Sequence, residues 1–226
     1  GRDADYDIDQ VCEVSGANNG VSPHQLKHDI GDRLKANGTY ARMLDAEGRR
    51  CWTLQYASPD GSPGFHLDVL PSRPASSVGS QIHITHKHED TYHWQSSNPR
   101  GYYEWFKGKN AFSPEVLGAQ MRTIYEANRT LYASVDDVPK QLARTQLQRA
   151  IQVMKRHRDV RFSGRSGAPI SIILTTICAH QYQGGDVMQT LRVFVDYVSG
   201  RLAVVVGGGS LIADDVLDYD QGTWVV

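Results

Sequence analysis

Tyr6-Asp7-Ile8-Asp9-Gln10-Val11-Cys12-Glu13-Val14 and, farther along, Phe65-His66-Leu67-Asp68-Val69-Leu70-Pro71 are the stretches on which the fold turns. Both alternate apolar and polar residues as strands do, and in a strand the side chains at i and i+2 point to the same face. Asp7 and Asp9 therefore stand side by side, roughly 6–7 Å apart along the chain. Asp68, flanked by Leu67 and Val69, is an acid projecting from an otherwise apolar strand. Carboxylates held this close repel one another unless a cation sits between them. Mg²⁺ prefers carboxylate oxygens together with substrate phosphates. Two such ions about 3.5–4 Å apart clamp the attacking and leaving oxygens of a phosphoryl transfer. The three acids thus point to metal-dependent nucleotidyl transfer; solvated strand-edge acids are the alternative, and the shared apolar flanks argue against it.

The 226 residues suit one large domain or two lobes around a cleft. With 40 % hydrophobic and 22 % charged residues, the chain reads as an ordinary globular protein. A net charge of −1 argues against a dedicated non-specific nucleic-acid binder, which would be strongly basic. The odd count of three cysteines, Cys12, Cys51 and Cys178, follows no metal or disulfide pattern and fits a reducing compartment. No signal peptide and no apolar run of membrane-spanning length is visible, so a cytoplasmic location is expected. Gly1 lies almost on the acidic strand and the chain stops on Thr223-Trp224-Val225-Val226, which reads as a strand; both ends are expected to be cut or missing.

Working outward, Ser22-Pro23 is an N-cap followed by Pro at the first helical position, and Leu26, Ile30 and Leu34 carry the helix towards Gly38. Residues 49–56 and 65–70 read as strands joined by the turn residues of 58–64, an antiparallel pair that would bring Asp68 beside the first strand. Residues 71–80, rich in Pro and Ser, read as a mobile loop and 81–85 as a further strand. Helices are expected over 113–134, 139–159, 168–180 and 186–199, the last ended by Gly200, with a strand over 202–206.

Four ordered segments together resemble a known family. The stretch from Asp5 to Glu13 and His66-Leu67-Asp68-Val69-Leu70-Pro71 look like the catalytic strands of the bacterial cyclic-oligonucleotide synthases. These are relatives of cyclic GMP-AMP synthase and oligoadenylate synthase within the polymerase-beta-like nucleotidyltransferases. Ser97-Asn98-Pro99-Arg100-Gly101-Tyr102, running on to Glu104-Trp105-Phe106, is similar to the family's Ser-Asn-Pro-x-Gly-Tyr…Trp-Phe segment. The run from Leu147 to Asp159 is similar to its long basic helix, followed here as there by Pro169-Ile170-Ser171-Ile172. Asp3 and Asp5 share parity with Asp7, and the match at Tyr6-Asp7-Ile8-Asp9 selects Asp7 and Asp9.

The resemblance implies an α+β fold: a polymerase-beta-like nucleotidyltransferase sheet packed against a helical lobe, with the active site in the cleft between them. Residues 1–110 would form the catalytic core, lacking its N-terminal part, and 111–226 a helical lobe of the oligoadenylate-synthase-like type, lacking its C-terminal end. The family's Gly-Ser (or Gly-Thr) phosphate-holding motif lies on a short helix upstream of its first acids, a stretch expected to precede Gly1. Asp7 and Asp9 would hold both of two Mg²⁺ ions, with Mn²⁺ as a substitute. Asp68 would hold the catalytic ion and help activate the attacking hydroxyl. Lys155 would reach the triphosphate, with Ser171 assisting.

ATP or another NTP would be joined into a cyclic di- or trinucleotide with release of pyrophosphate. That product would act as a second messenger in antiphage defence, read by a separate effector and open to a regulatory protein, with no membrane or nucleic-acid activator. The alternatives are a truncated, non-catalytic nucleotide-binding relative and a nucleotidyltransferase with a macromolecular acceptor.

Other features have plainer readings. Lys155 could instead lie on a solvated helix face. His83, His86, His88 and His93 suggest zinc, but strand parity separates His83 from His86 and His88 and no Cys is near, so they read as loop or edge-strand histidines. Gly207-Gly208-Gly209-Ser210 lacks the Lys of a P-loop and reads as a strand-ending turn. Trp94, Trp105, Tyr102 and Tyr103 read as packing residues at the lobe interface rather than base-stacking ones.

Overall fold

A computed structural model describes residues 6–15, 20–56, 64–76 and 79–205. They fall into two compact units, one reaching Gly101 and the next starting at Tyr102. The expected turn at 207–210, the terminal strand at 223–226 and most of the turn at 58–64 lie outside the described residues, as do Asp3 and Asp5.

The first unit is a mixed sheet with a helix on one face. Strand β1 (Tyr6–Glu13) is followed by helix α1 (Pro23–Ala36), the single turn α2 (Gly38–Ala41), and strands β2 (Trp52–Tyr56), β3 (Phe65–Pro74), β4 (Ile82–His88) and β5 (Thr91–Ser97). The strand order is β1-β3-β4-β5, with β2 also paired to β3. β1 runs parallel to β3 and the other pairings are antiparallel, including the expected β2–β3 pair.

α1 starts where the cap was expected: Ser22 Oγ accepts from Gln25 N–H at 3.1 Å and Pro23 occupies the first turn. Its stripe of Leu26 and Ile30 packs on Trp52, Leu54 and Val69, with Cys12, Leu34, Leu67 and Trp94 around them. The approach is close because Gly31 faces the Trp52 indole; a Cβ there would overlap the ring. Trp52 Nε1 donates to the Lys27 carbonyl at 2.9 Å. Lys27 itself is fully buried (0 % exposed). Its ammonium donates to the carbonyls of Gly48 at 2.5 Å and Arg49 at 3.0 Å and pairs with Glu47 at 3.8 Å. Burial lowers its pKa, against the opposing pull of Glu47.

Several boundaries differ from the sequence reading. The expected loop over 71–80 begins with strand: β3 continues to Pro74, flanked by β1 at Pro71 and Ser72 and by β4 at Ser72 to Pro74. Proline punctuation suggested a loop, but these prolines lie where β3 passes from one partner to the next. β2 begins at Trp52 rather than at 49. The histidine-rich tract forms the β4–β5 hairpin, whose second strand was not foreseen; Glu89 turns it with a left-handed φ of 53°. His83 and His86 lie on opposite faces of β4, as parity required, and His86 Nδ1 lies 2.8 Å from Gln95 Oε1.

The second unit is helical. Helix α3 (Pro99–Lys109) leads into it, followed by α4 (Pro114–Ala127), α5 (Gln146–Arg161), α6 (Ser171–Gln181) and α7 (Val187–Val205). α4 stops well short of 134, where Asn128 caps it. α5 starts later than 139 because Thr145 forms a capping box with Gln148, after short 3₁₀ turns at Val135–Asp137 and Lys140–Leu142. Leu147, Ala150, Ile151 and Met154 then form its buried stripe, packed with Cys178, Ala179, Trp105 and Phe106. Trp105 is thus core in its own unit, and Trp94 is likewise part of the packing beneath α1. α7 passes through Gly200 to Val205, where a strand was expected from 202. An interior glycine costs a helix only about 1 kcal/mol, and a short apolar run does not distinguish helix from strand.

Gly31→Ala should destabilise the first unit by about 1–3 kcal/mol, the cost of overpacking against Trp52, although the same change in an exposed helix stabilises. Urea unfolding followed by Trp fluorescence reads the sign directly.

Candidate active site

The parallel β1–β3 register places Asp9 directly opposite Asp68 and Asp7 opposite His66. Period-two alternation puts all four on one face, with Leu67 and Val69 on the other, where α1 packs. The sheet therefore carries an apolar face and an acidic one, as the two stretches predicted.

Asp68 is the anchored member. Thr53, its partner across the β2–β3 pairing, donates from Oγ1 to Asp68 Oδ1 at 2.5 Å, and Cys51 Sγ approaches Oδ2 at 3.5 Å. Burial, then the neighbouring Asp68 charge, pushes the Cys51 thiol up to about 12, so it stays a neutral donor rather than a nucleophile. Asp9 reaches solvent, yet its carboxyl is held above the usual carboxylate range, first by partial burial and then by the charges of Asp68 and Asp7. A cation on this face would relieve that repulsion, and an all-oxygen donor set suits Mg²⁺ or Mn²⁺. The carboxylates do not yet close on a common point: among the described residues, no three His, Cys, Asp or Glu side chains are gathered as a ready cation cage. Asp7 is turned to His66, whose Nδ1 lies 3.4 Å from its Oδ1.

Lys155 and Ser171 lie in the second unit, on α5 and at the first position of α6. Lys155 is half-buried, and its pKa is lowered by burial and then by Arg158, with Asp159 opposing. Arg158 links the two helices. Its Nη1 donates to Ser171 Oγ at 2.6 Å and to the Pro169 carbonyl at 3.2 Å, while Asp159 holds its Nε at 2.8 Å. The sequence reading included Arg158 only within the basic run from Leu147 to Asp159; its place one turn after Lys155 was the available signal. Thr53 gave no signal, since its role depends on pairing with β3.

The Ser97–Tyr102 segment has a structural logic as well. Asn98 Oδ1 accepts from Gly101 N–H at 2.9 Å and from Ser80 Oγ at 2.9 Å, capping the start of α3. A Cβ on residue 101 would overlap the Asn98 amide, which explains the glycine.

An acidic parallel strand pair, backed by one helix and followed by a helical unit, makes an α+β fold. No family model matches the chain. A c-di-GMP synthase of Roseivirga ehrenbergii is 29 % identical over 182 residues, covering 80 % of this chain and 44 % of the relative. The cyclic dinucleotide synthase CdnG of Bradyrhizobium diazoefficiens is 28 % identical over 195 residues, covering 82 % and 44 %. The solved structure of Bradyrhizobium diazoefficiens CD-NTase CdnG in complex with GTP superposes with a TM-score of 0.71 at 25 % identity, covering 94 % of this chain and 62 % of that one. Sequence and fold together relate this chain to the bacterial cyclic-oligonucleotide synthases, as the four segments implied. The chain spans less than half the length of the curated relatives.

Thr53→Val keeps the side-chain shape but removes the donor to Asp68. It should weaken Mn²⁺ binding by about 10-fold, the usual scale for losing a group that orients a metal ligand, with little change in melting temperature. Isothermal titration with Mn²⁺ checks it.

Proposed function

We propose that this chain carries the catalytic acids and the nucleotide-binding helices of an enzyme that joins NTPs into a cyclic di- or trinucleotide, releasing pyrophosphate. The observation that carries the reading is the register of β1 and β3, which aligns Asp9 with Asp68 and sets Asp7 two residues along on the same face. Asp7, Asp9 and Asp68 are the residues that would hold the metal. When bound, Mg²⁺ (or Mn²⁺) supplies positive charge to the triphosphate and to the attacking and leaving oxygens.

The protein's own groups then act around that charge. Asp68, fixed by Thr53 and Cys51, would help to take the proton of the attacking hydroxyl. Within the second unit, Lys155 and Ser171 are the candidate phosphate-binding side chains, a cation and a hydroxyl. Arg158 supports this arrangement by keeping Ser171 Oγ at the start of α6. The relatives, a c-di-GMP synthase and a CdnG in complex with GTP, make GTP the first substrate to test, beside ATP. No helix among the described residues is long and apolar enough to cross a membrane. The biological setting that fits is cytoplasmic antiphage signalling, with the cyclic product read by a separate effector and synthesis open to a regulatory protein.

The test is incubation with the four NTPs and Mg²⁺ or Mn²⁺, phosphatase treatment and mass spectrometry, on this chain and on a form extended to the length of the relatives. A phosphatase-resistant cyclic product is expected. Asp7→Asn with Asp9→Asn should lower its formation by about 1,000-fold or more while leaving the melting temperature near wild type, since several kcal/mol of charge stabilisation are lost. Undiminished synthesis in that variant would overturn the mechanism. Label transferred to a macromolecule, or nucleotide binding without pyrophosphate release, would overturn the proposed reaction.

A further inference from the structure

The acidic face holds a fourth donor to which the reading above gives no task. His66 precedes Asp68 by two residues on β3, so it shares the face of Asp68, and the register sets it directly across from Asp7. Two adjacent parallel strands therefore present a two-by-two grid, Asp7 beside His66 and Asp9 beside Asp68.

The two ends of the grid are held very differently. Asp68 is gripped through both oxygens by Thr53 and Cys51. The Asp7 side chain is 76 % exposed, and among the described residues the side chain that reaches it is that of His66, 32 % exposed, with Nδ1 3.4 Å from Oδ1. An exposed carboxylate sampling several rotamers must give up that freedom when it takes a ligand. A neighbour placed beside one oxygen can engage it, reducing the loss and leaving the other oxygen to the cation. Ligating carboxylates are commonly supported by such outer contacts.

We propose that His66 is a positioning residue for Asp7, holding its Oδ1 from the Nδ1 side so that Oδ2 is presented to the metal. This rests on the reading of Asp7, Asp9 and Asp68 as metal ligands. It also assigns the donor to one ring position. Asn carries its amide nitrogen about as far from Cα as His carries Nδ1, so Asn should replace His66 and Ala should not.

The experiment is titration of the whole chain with Mn²⁺ alone, followed by the electron paramagnetic resonance signal of the free ion. It compares wild type with His66→Ala, His66→Asn, Asp68→Asn, Asp7→Ala and the Asp7→Ala/His66→Ala double variant, with melting curves for each. His66→Ala should weaken binding about 10-fold, His66→Asn should stay within about threefold of wild type, and Asp68→Asn should weaken it more than either. Because His66 acts through Asp7, His66→Ala should have no further effect once Asp7 is Ala. That comparison also decides the matter if His66→Ala melts early.

Binding unchanged in His66→Ala but lost in Asp68→Asn would overturn the role of His66 and leave the acidic site standing. Equal weakening in the Ala and Asn variants, or a full additional loss in the double variant, would likewise overturn it, because the ring would then act in some way other than by holding Asp7. Binding unchanged in Asp68→Asn would remove the metal-site reading and this inference with it.

Discussion

The parallel pairing of β1 with β3 is the constraint on which everything else depends. A slip of one residue would carry Asp7 and Asp9 to the α1 face and bring Ile8 and Gln10 up beside Asp68. The cost of that slip is borne on the apolar side. Cys12, Leu67 and Val69 pack with Trp52, Leu54, Leu26 and Ile30, and acids in that company would be buried without partners. The acidic face is thus specified by the hydrophobic one. The carboxylates repel each other, and the packing beneath the sheet overrides that repulsion.

The same division of labour runs through the first unit. Gly31 lets α1 settle onto Trp52, and the indole N–H ties the two together. β2 then serves both faces. Trp52 and Leu54 are core, while Thr53 between them projects the other way to grip Asp68. In the second unit, α5 does likewise: Leu147, Ala150, Ile151 and Met154 face inward, and Lys155 and Arg158 follow at the helix end. In both units the candidate site residues hang from elements whose position is decided by burial.

How much of this could be read in advance follows from the range of each interaction. Parity along a strand is local, so the common face of Asp7 and Asp9 was visible, as was the Ser22 cap of α1. The β2–β3 pairing could be read because a turn-rich stretch separates two clear strands. β5 was not, since Thr91 to Ser97 sets only Tyr92 and Trp94 among polar and histidine residues, and its register with β4 is a property of the pair. The course of β3 through Pro71 and Pro74 was hidden by prolines whose tolerance depends on which neighbour lies beside them. Thr53, His66 and Arg158 were missed for one reason: each matters through a partner on another element, and neither spacing nor composition names that partner.

Lys27 has a practical consequence. With its ammonium sealed beneath α1 and engaged by the Gly48 and Arg49 carbonyls, it is closed to amine-reactive reagents in the folded unit, whereas Lys35, half exposed on the same helix, is open to them. The ratio of acylation at these two lysines is therefore a built-in gauge of how often α1 lifts from the sheet, readable from peptide masses without an added probe.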